Sequence, residues 1–297
     1  MGNFRCGGAV AQSGLGKRVT IFKTILDKLS PLTVLNGFAA GAAVEADRYG
    51  LHERHGLDVY RPRRRGPHPV VVFFYGGGWE EGDRGAYRFV GAALASAGIV
   101  AVIPDYRLYP EVRFPGFLED GAAAVRWAAE HANRFGGDPD RLVLMGHSAG
   151  AHIAGMLAMD GRWLDAAGVS RGAVRGWVGL AGPYDFEPDT PNRRTIFGKD
   201  RQSTQPIGFT RQDNPPALLG ISARDQVVDP GNSRRLAKRI VNAGGTAEVK
   251  VYPRTDHASI LGAISPLLRF LGPVFRDSTH FIQTVTAKAR QSESETA

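Results

Sequence analysis

The chain of 297 residues is 43% hydrophobic and 22% charged, a globular composition that excludes a largely disordered or fibrous protein. Its single cysteine, Cys6, excludes an internal disulfide framework and a cysteine-rich zinc site. The net charge of +8 comes from arginine runs without interleaved aromatic residues, so we expect no nucleic-acid partner. We find no secretory leader and no apolar run of about 18 residues, which predicts a soluble, cytoplasmic protein with no membrane span.

From residue 57 onward, short β-rich runs alternate with helical stretches. Strands are predicted at Leu57–Tyr60, Val70–Phe74, Ile99–Ile103, Arg141–Met145, Val174–Leu180, Ala217–Ser222 and Thr246–Val251. Helices are predicted at Tyr87–Ala97, Phe117–Ala132, Ala149–Met159, Ser233–Ala243 and Ile260–Leu271. This alternation implies a mostly parallel sheet that is covered by helices on both faces.

Three segments lie outside this alternation. Residues 1–45 precede the first convincing strand and are predicted to form a helical arm or cap. The polar stretch 186–214 is longer than a simple crossover needs, and we expect this insertion to lie over the carboxyl edge of the sheet, where α/β proteins bind ligands. Residues 286–297 are polar and are predicted to form a flexible tail. A single catalytic domain over 46–285 is the expected organisation.

A serine lies at the centre of Gly-His-Ser-Ala-Gly, residues 146–150, between a predicted strand and a predicted helix. In that context the G-x-S-x-G pattern indicates a nucleophile elbow, a sharp turn that raises the serine hydroxyl above the sheet edge. The helix that follows would favour a developing anion through the positive potential at its N-terminus. Ser148 is therefore the candidate nucleophile.

A run of three glycines, Gly76, Gly77 and Gly78, directly follows the predicted strand Val70–Phe74. Glycines without a Cβ allow backbone N–H groups to approach a ligand closely. Together with the N–H of Ala149, these groups are predicted to form an oxyanion hole for a tetrahedral intermediate.

The two motifs resemble those of the α/β-hydrolases of the esterase/lipase group that carry an HGGG-type oxyanion loop. The chain is most similar to bacterial carboxylesterases that share Gly-His-Ser-Ala-Gly-Ala-His with kynurenine-formamidase-like proteins, from about Leu57 to His257. The resemblance implies an α/β-hydrolase fold, with a mostly parallel sheet of about eight strands, helices on both faces and a small cap formed by the arm and the insertion. It also suggests a homodimer through the last strand and helix. Tyr75 stands where the family normally has a histidine that braces the loop.

The order of catalytic residues in this family is serine, acid, histidine. Asp225, just beyond the strand Ala217–Ser222, is the candidate acid. Its rival Asp229 precedes Pro230 and a helix, where capping the helix is a sufficient role. His257 follows the last strand and is the candidate base, which would take the proton of Ser148 while Asp225 holds its tautomer.

Two further histidines lie close to the serine in the sequence. The side chain of His147 is expected to point away from the hydroxyl of Ser148. His152, one helical turn beyond Ser148, is expected to be packed or hydrogen-bonded under the elbow.

Four aromatic residues are candidates for the acyl or alcohol pocket: Trp79, Tyr106, Phe186 and Phe209. The sequence contains neither a set of metal ligands at a suitable spacing nor a phosphate loop, so we expect no metal and no cofactor. The predicted function is that of a serine carboxylesterase acting on short-chain, small-molecule esters. The shared motif leaves an arylformamidase or amidase as the alternative, and a non-catalytic small-molecule binding protein as a third.

Overall fold

The computed structural model describes residues 31–294 apart from 38 and 40–42, so most of the predicted arm lies outside the described residues. Within this part, eight strands form one sheet in the order β1-β2-β4-β3-β5-β6-β7-β8. The strands are β1 (Ala43–Arg48), β2 (Gly56–Arg61), β3 (His68–Phe74), β4 (Val100–Pro104), β5 (Gly137–His147), β6 (Val174–Leu180), β7 (Ala217–Ser222) and β8 (Ala247–Tyr252). Strand β2 is antiparallel to its neighbours β1 and β4, whereas the pairs from β4 to β8 are parallel.

The described helices are α1 (Pro31–Gly37), α2 (Arg88–Ser96), α3 (Gly116–His131), α4 (Ala149–Met159), α5 (Arg162–Ala166), α6 (Pro191–Phe197), α7 (Arg201–Thr204), α8 (Gly231–Asn242), α9 (Ser259–Gly262) and α10 (Val274–Ser294). Two neighbouring residues of β6 show that helices cover both faces of the sheet. A Cβ on Gly176 would meet Val285 and Phe281 of α10, while the next residue, Trp177, contacts Gly155 of α4. Because successive residues of a strand point to opposite faces, α4 and α10 lie on opposite sides.

The central strands are apolar because both of their faces are covered. Every residue of β7 is buried, and so is every residue of β4. Such strands read as continuous hydrophobic runs, which explains why the predicted bounds of β6 and β7 agree with the structure. None of the helices in the described part of the chain is long and apolar enough to cross a lipid bilayer.

The two ends of the described chain differ from the predictions. Strand β1 was missed because it is an edge strand with mostly exposed residues, and the predicted boundary between 45 and 46 falls inside it. The predicted helix Ile260–Leu271 is interrupted: α9 ends at Gly262, and Pro266 begins a separate 3-10 turn. Residues 286–294 belong to α10, and Thr286 is fully buried, so this helix continues into the segment that was predicted to form a tail.

The insertion, residues 186–214, contains two short helices and a 3-10 turn, Pro206–Phe209. The side chain of Thr190 accepts a hydrogen bond from the N–H of Arg193 and caps α6, and Asp200 caps α7 in the same way. The insertion is tied to the domain through the N–H of Phe114, which donates to the carbonyl of Ile196 at 3.0 Å.

Candidate active site

A strained turn joins β5 to α4 and projects Ser148 at the carboxyl edge of the sheet. Ser148 has φ of 53° and ψ of −123°, a conformation that side-chain-bearing residues rarely adopt. Its N–H donates to the carbonyl of Leu180 on β6 at 3.0 Å. A Cβ on Gly150 would lie 2.0 Å from the carbonyl oxygen of Phe74, so only glycine allows α4 to start this close to β3.

Three side chains from three loops form a hydrogen-bonded chain at this edge. The Oγ of Ser148 lies 2.9 Å from Nε2 of His257, and Nδ1 of His257 lies 2.8 Å from Oδ2 of Asp225. Asp225 lies in the loop after β7 and His257 in the loop after β8. The structure therefore brings together the three residues that the sequence analysis singled out as nucleophile, base and acid.

The two loops that carry Asp225 and His257 are joined to each other through Thr255. The N–H of Arg224 donates to the carbonyl of Thr255 at 3.1 Å. The hydroxyls of Ser222 and Thr255 are 3.0 Å apart, and both side chains are buried. These contacts hold the two loops at a fixed separation, and they do not involve the side chains of Asp225 and His257.

The environment of Asp225 keeps its carboxylate ionised. Burial disfavours the charge, but hydrogen bonds from His257 and from the N–H groups of Val228 and Val227 outweigh it, so the pKa of Asp225 lies below its usual value. Both backbone N–H groups donate to Oδ1 at 2.9 Å. An ionised Asp225 accepts the Nδ1–H of His257 and leaves Nε2 free to accept the proton of Ser148.

Asp229, the alternative acid, has a different environment. Its Oδ1 accepts the N–H of Gly231 at 2.8 Å, and its Oδ2 pairs with Nη1 of Arg235 at 3.0 Å. These contacts lie just before α8, whose capping position is taken by Pro230 without a side-chain hydrogen bond, so the predicted role of Asp229 as the cap is wrong.

The glycine loop, residues 75–82, passes beside the serine. A Cβ on Gly76 would lie 3.0 Å from the Cβ of Ser148, so a side chain at this position would crowd the nucleophile. Gly77 and Gly78 have φ of 124° and 63°, in the region that favours glycine. In the described part of the chain, the N–H groups of Gly77, Gly78 and Ala149 donate to no acceptor, so they are free to bind a ligand.

Only two of the four aromatic candidates line the cleft at Ser148. The rings of Trp79 and Phe186 stack with centroids 5.8 Å apart, and both residues border the cleft. Tyr106 is fully buried and its hydroxyl donates to the carbonyl of Tyr75, so its assignment to the pocket is wrong. Phe209 is also wrongly assigned, because it packs against the guanidinium of Arg162 outside the cleft.

The sequence analysis missed the charged lining of the cleft, which has a volume of about 1080 Å³. The insertion supplies one wall through Phe186, Glu187, Asp189, Arg193 and Arg201. Six carboxylates and three guanidiniums line the cleft: Glu80, Glu81, Asp185, Glu187, Asp189, Asp229, Arg193, Arg201 and Arg235. All three guanidiniums are paired with carboxylates, which leaves an excess of three carboxylates in a chain of net charge +8.

Two buried histidines support the site without touching the hydroxyl of Ser148. Nε2 of His147 donates to the backbone carbonyl of His257 at 2.8 Å, which holds the loop of the base. Nε2 of His152 donates to the carbonyl of Thr204 at 2.8 Å and so ties α4 to the insertion. Burial lowers the pKa of both histidines to about 4, so both are neutral at pH 7.

The depressed pKa values of His147 and His152 predict a loss of stability in mild acid. In the unfolded chain the pKa of each histidine would be near its ordinary value of 6.5, so between pH 6.5 and about 4 the unfolded state binds more protons than the folded state. The free energy of unfolding should be unaffected by these groups above pH 7 and fall by about 2 kcal/mol per histidine by pH 5.

Urea unfolding between pH 5 and pH 8 measures this effect, with His147→Asn and His152→Asn as test variants. Each variant should flatten the pH dependence, whereas His280→Asn, which changes an exposed histidine on α10, should leave it unchanged. An equal slope in all four proteins would contradict the assignment of the acid sensitivity to the two buried rings.

The sequence of the chain matches a family model and several curated proteins. Residues 57–240 match the BD-FAE family, which is more than half of the chain. The chain belongs to the BD-FAE family. It is 34% identical over 238 residues to a probable isoprenylcysteine alpha-carbonyl methylesterase, ICMEL1 of Arabidopsis thaliana, covering 71% of this chain and 50% of that protein. It is 32% identical over 215 residues to the esterase LipC of Mycobacterium tuberculosis, covering 65% of this chain and 53% of that protein.

Solved structures confirm the fold of this BD-FAE chain as that of the α/β-hydrolases. A thermophilic esterase of Thermogutta terrifontis, Est2 with bound propionate, superposes with a TM-score of 0.70 at 23% identity, covering 83% of this chain and 95% of that one. A truncated carbohydrate esterase from gut microbiota gives 0.71 at 22% identity, covering 83% and 97%. The chain spans about half the length of the curated relatives it matches.

Proposed function

We propose that this protein is a serine carboxylesterase that hydrolyses small esters through Ser148, His257 and Asp225. The observation that carries the proposal is the unbroken chain of hydrogen bonds from Ser148 through His257 to Asp225, with separations of 2.9 and 2.8 Å. A hydroxyl, an imidazole and an ionised carboxylate in this order are the groups that acyl transfer requires. The esterase names of the relatives agree with this assignment.

The proposed reaction begins when Ser148 attacks the ester carbonyl and transfers its proton to Nε2 of His257. The oxyanion that forms accepts hydrogen bonds from the N–H groups of Gly77, Gly78 and Ala149, with Gly76 beside them. His257 then protonates the alcohol oxygen, the C–O bond breaks and an acyl-serine remains. Water attacks the acyl-serine as His257 takes its proton, and His257 then gives this proton to the oxygen of Ser148 as the bond to the acyl group breaks and the acid is released.

The aromatic wall of the cleft supports a short acyl chain or an aryl group. Trp79 is almost completely buried, and its ring is backed by Phe197 at 4.7 Å and His152 at 5.3 Å between centroids. A long chain directed toward Trp79 would have to displace these packed rings, which costs free energy. The excess of carboxylates in the cleft further favours neutral or cationic esters over anionic ones.

The flat faces of Trp79 and Phe186 also suit an aryl leaving group, which keeps an arylformamidase as the alternative function. The two activities share the steps at Ser148 and differ in the bond that breaks.

Hydrolysis of p-nitrophenyl esters from acetate to laurate, measured beside N-formylkynurenine, tests the proposal. We expect kcat/KM to be highest for acetate or butyrate. For laurate it should be lower by at least about tenfold, because the packed rings behind Trp79 exclude a long chain. A fluorophosphonate probe should label Ser148, as read by peptide mass spectrometry.

Each other outcome has a definite meaning. Higher kcat/KM on the formamide than on every ester would make the protein an arylformamidase. Labelling of Ser148 without turnover of either substrate class would contradict the assignment to small esters. The assignment of Ser148 as the nucleophile would still hold. Failure of both turnover and labelling would favour a non-catalytic binding protein.

A further inference from the structure

One guanidinium joins the two ends of the glycine loop, residues 75–82. Arg54 lies in the turn between β1 and β2, far from the loop in the sequence. Its Nη2 donates to the hydroxyl of Tyr75 at 2.9 Å and to the carbonyl of Gly82 at 2.7 Å. Its Nε donates to the carbonyl of Tyr106 at 2.8 Å, which anchors the guanidinium on the segment after β4. The loop is therefore closed at its base by a side chain from another part of the sheet.

Tyr75 fills the space at the base of the glycine loop. Its ring is fully buried between Tyr87 and Tyr106, with centroids 5.1 and 4.8 Å away. Gly82 has φ of 115°, and a Cβ there would lie 2.8 Å from Cε2 of Tyr75. The far end of the loop thus packs directly on the ring at its near end.

The hydroxyl of Tyr75 both donates and accepts a hydrogen bond. It donates to Oδ1 of Asp105 at 2.8 Å and accepts from Arg54. Asp105 is buried and forms an ion pair with Arg84, whose N–H also donates to Oδ1 at 2.7 Å. The carboxylate is thereby held by Arg84 as well as by the tyrosine. Such a network holds a unique geometry because each lost bond would leave a buried polar group without a partner.

We propose that Arg54 is a positioning residue for the oxyanion hole, acting through Tyr75 and Gly82 on the N–H groups of Gly77 and Gly78. The planar guanidinium presents several donors in a fixed arrangement, so it binds both loop ends and Tyr106 at once, which a lysine ammonium does not reproduce. Arg54 does not line the cleft at Ser148. The assignment rests on the proposed function, since an oxyanion hole has a role only if Ser148 forms a tetrahedral intermediate.

The expected consequence is a loss in kcat with little change in KM. Donors of an oxyanion hole bind the transition state more strongly than the ground state, so a shift of the loop affects the chemical step. We expect Arg54→Lys and Tyr75→Phe each to lower kcat on p-nitrophenyl acetate by about tenfold, with KM within about twofold. Rates are taken per active site, counted by the burst of p-nitrophenol, so that unfolded protein does not enter kcat.

The double variant Arg54→Lys/Tyr75→Phe distinguishes a shared brace from two independent effects. If the two residues act through the same contact, the double variant should lose about as much kcat as either single variant. A product of the two losses, about 100-fold, would overturn the proposal. Arg126→Lys is the matched control, because Arg126 is exposed on α3 and pairs with Glu130, and this variant should keep the activity of the unchanged protein.

Hydrogen exchange gives a readout that does not depend on turnover. The peptide that covers residues 75–82 should exchange faster in Arg54→Lys and Tyr75→Phe than in the unchanged protein, while peptides of β5 and α4 keep their protection. Unchanged exchange in this peptide would overturn the proposal. A rise in KM as large as the fall in kcat would also overturn it. If the unchanged protein cleaves no ester, the proposed function fails, whereas the exchange experiment still decides whether Arg54 braces the loop.

Discussion

Replacing Ser148 by alanine is expected to lower kcat/KM for p-nitrophenyl acetate by at least ~10³-fold. The substitution removes the hydroxyl oxygen that lies 2.9 Å from Nε2 of His257, so no acyl-serine can form. The N–H groups of Gly77, Gly78 and Ala149 remain, and a small residual rate from direct attack of water is expected. The burst of p-nitrophenol in pre-steady-state measurements should disappear together with the steady-state rate.

The fold is expected to survive Ser148→Ala, because the strained elbow loses only a hydroxyl. Ser170→Ala provides the matched control: Ser170 is exposed at the other end of the sheet, just before β6, and its loss should leave kcat/KM unchanged. Persistence of more than a tenth of the activity in Ser148→Ala would mean that another group attacks the ester.

Replacing Asp225 by asparagine is expected to lower kcat by about 10³- to 10⁴-fold. Asparagine would keep the shape of the side chain, but it would lose the negative charge of the carboxylate whose Oδ2 accepts the Nδ1–H of His257 at 2.8 Å. The imidazole would then be free to place its hydrogen on Nε2, where it cannot accept the proton of Ser148. Steady-state kinetics on p-nitrophenyl acetate measures the loss, and KM should change by less than about threefold.

Asp229→Asn separates the two candidate acids with the same chemical change four residues away. Asp229 accepts the N–H of Gly231 and pairs with Arg235, so its substitution should change kcat by less than about threefold and lower stability slightly. The opposite pattern, a large loss for Asp229→Asn and a small one for Asp225→Asn, would reverse the assignment. Adding Asp225→Asn to Ser148→Ala should have almost no further effect, because residues of one catalytic unit are not additive.

The elements that were predictable from the sequence are those whose pattern reflects local burial. The bounds of β6, β7 and α4 were predicted to the residue because each is mostly apolar and mostly buried. The polar edge strand β1 and the amphipathic helix α10 were missed, since neither shows a continuous apolar run. Their position depends on the neighbours against which they pack.

The roles of the aromatic residues were not predictable in the same way. Trp79 and Tyr106 both follow buried strands and look equivalent in the sequence, yet Trp79 lines the cleft and Tyr106 points into the core beneath Tyr75. The direction in which a side chain points after a strand ends is decided by tertiary packing. The charged lining of the cleft was also hidden, because its arginines and carboxylates come from segments that are distant in the sequence.

The sequence by itself determined the class of fold, the position of Ser148 in a glycine-flanked turn and the order in which an acid and a histidine follow it. These depend on local patterns of burial and on turns that only glycine permits. Only the tertiary structure decided that Asp225 rather than Asp229 meets His257, that Trp79 and Phe186 form the wall of the cleft, and that Arg54 closes the base of the glycine loop. Contacts of this kind join segments tens of residues apart, and their geometry follows from how the strands are ordered and packed rather than from any local pattern.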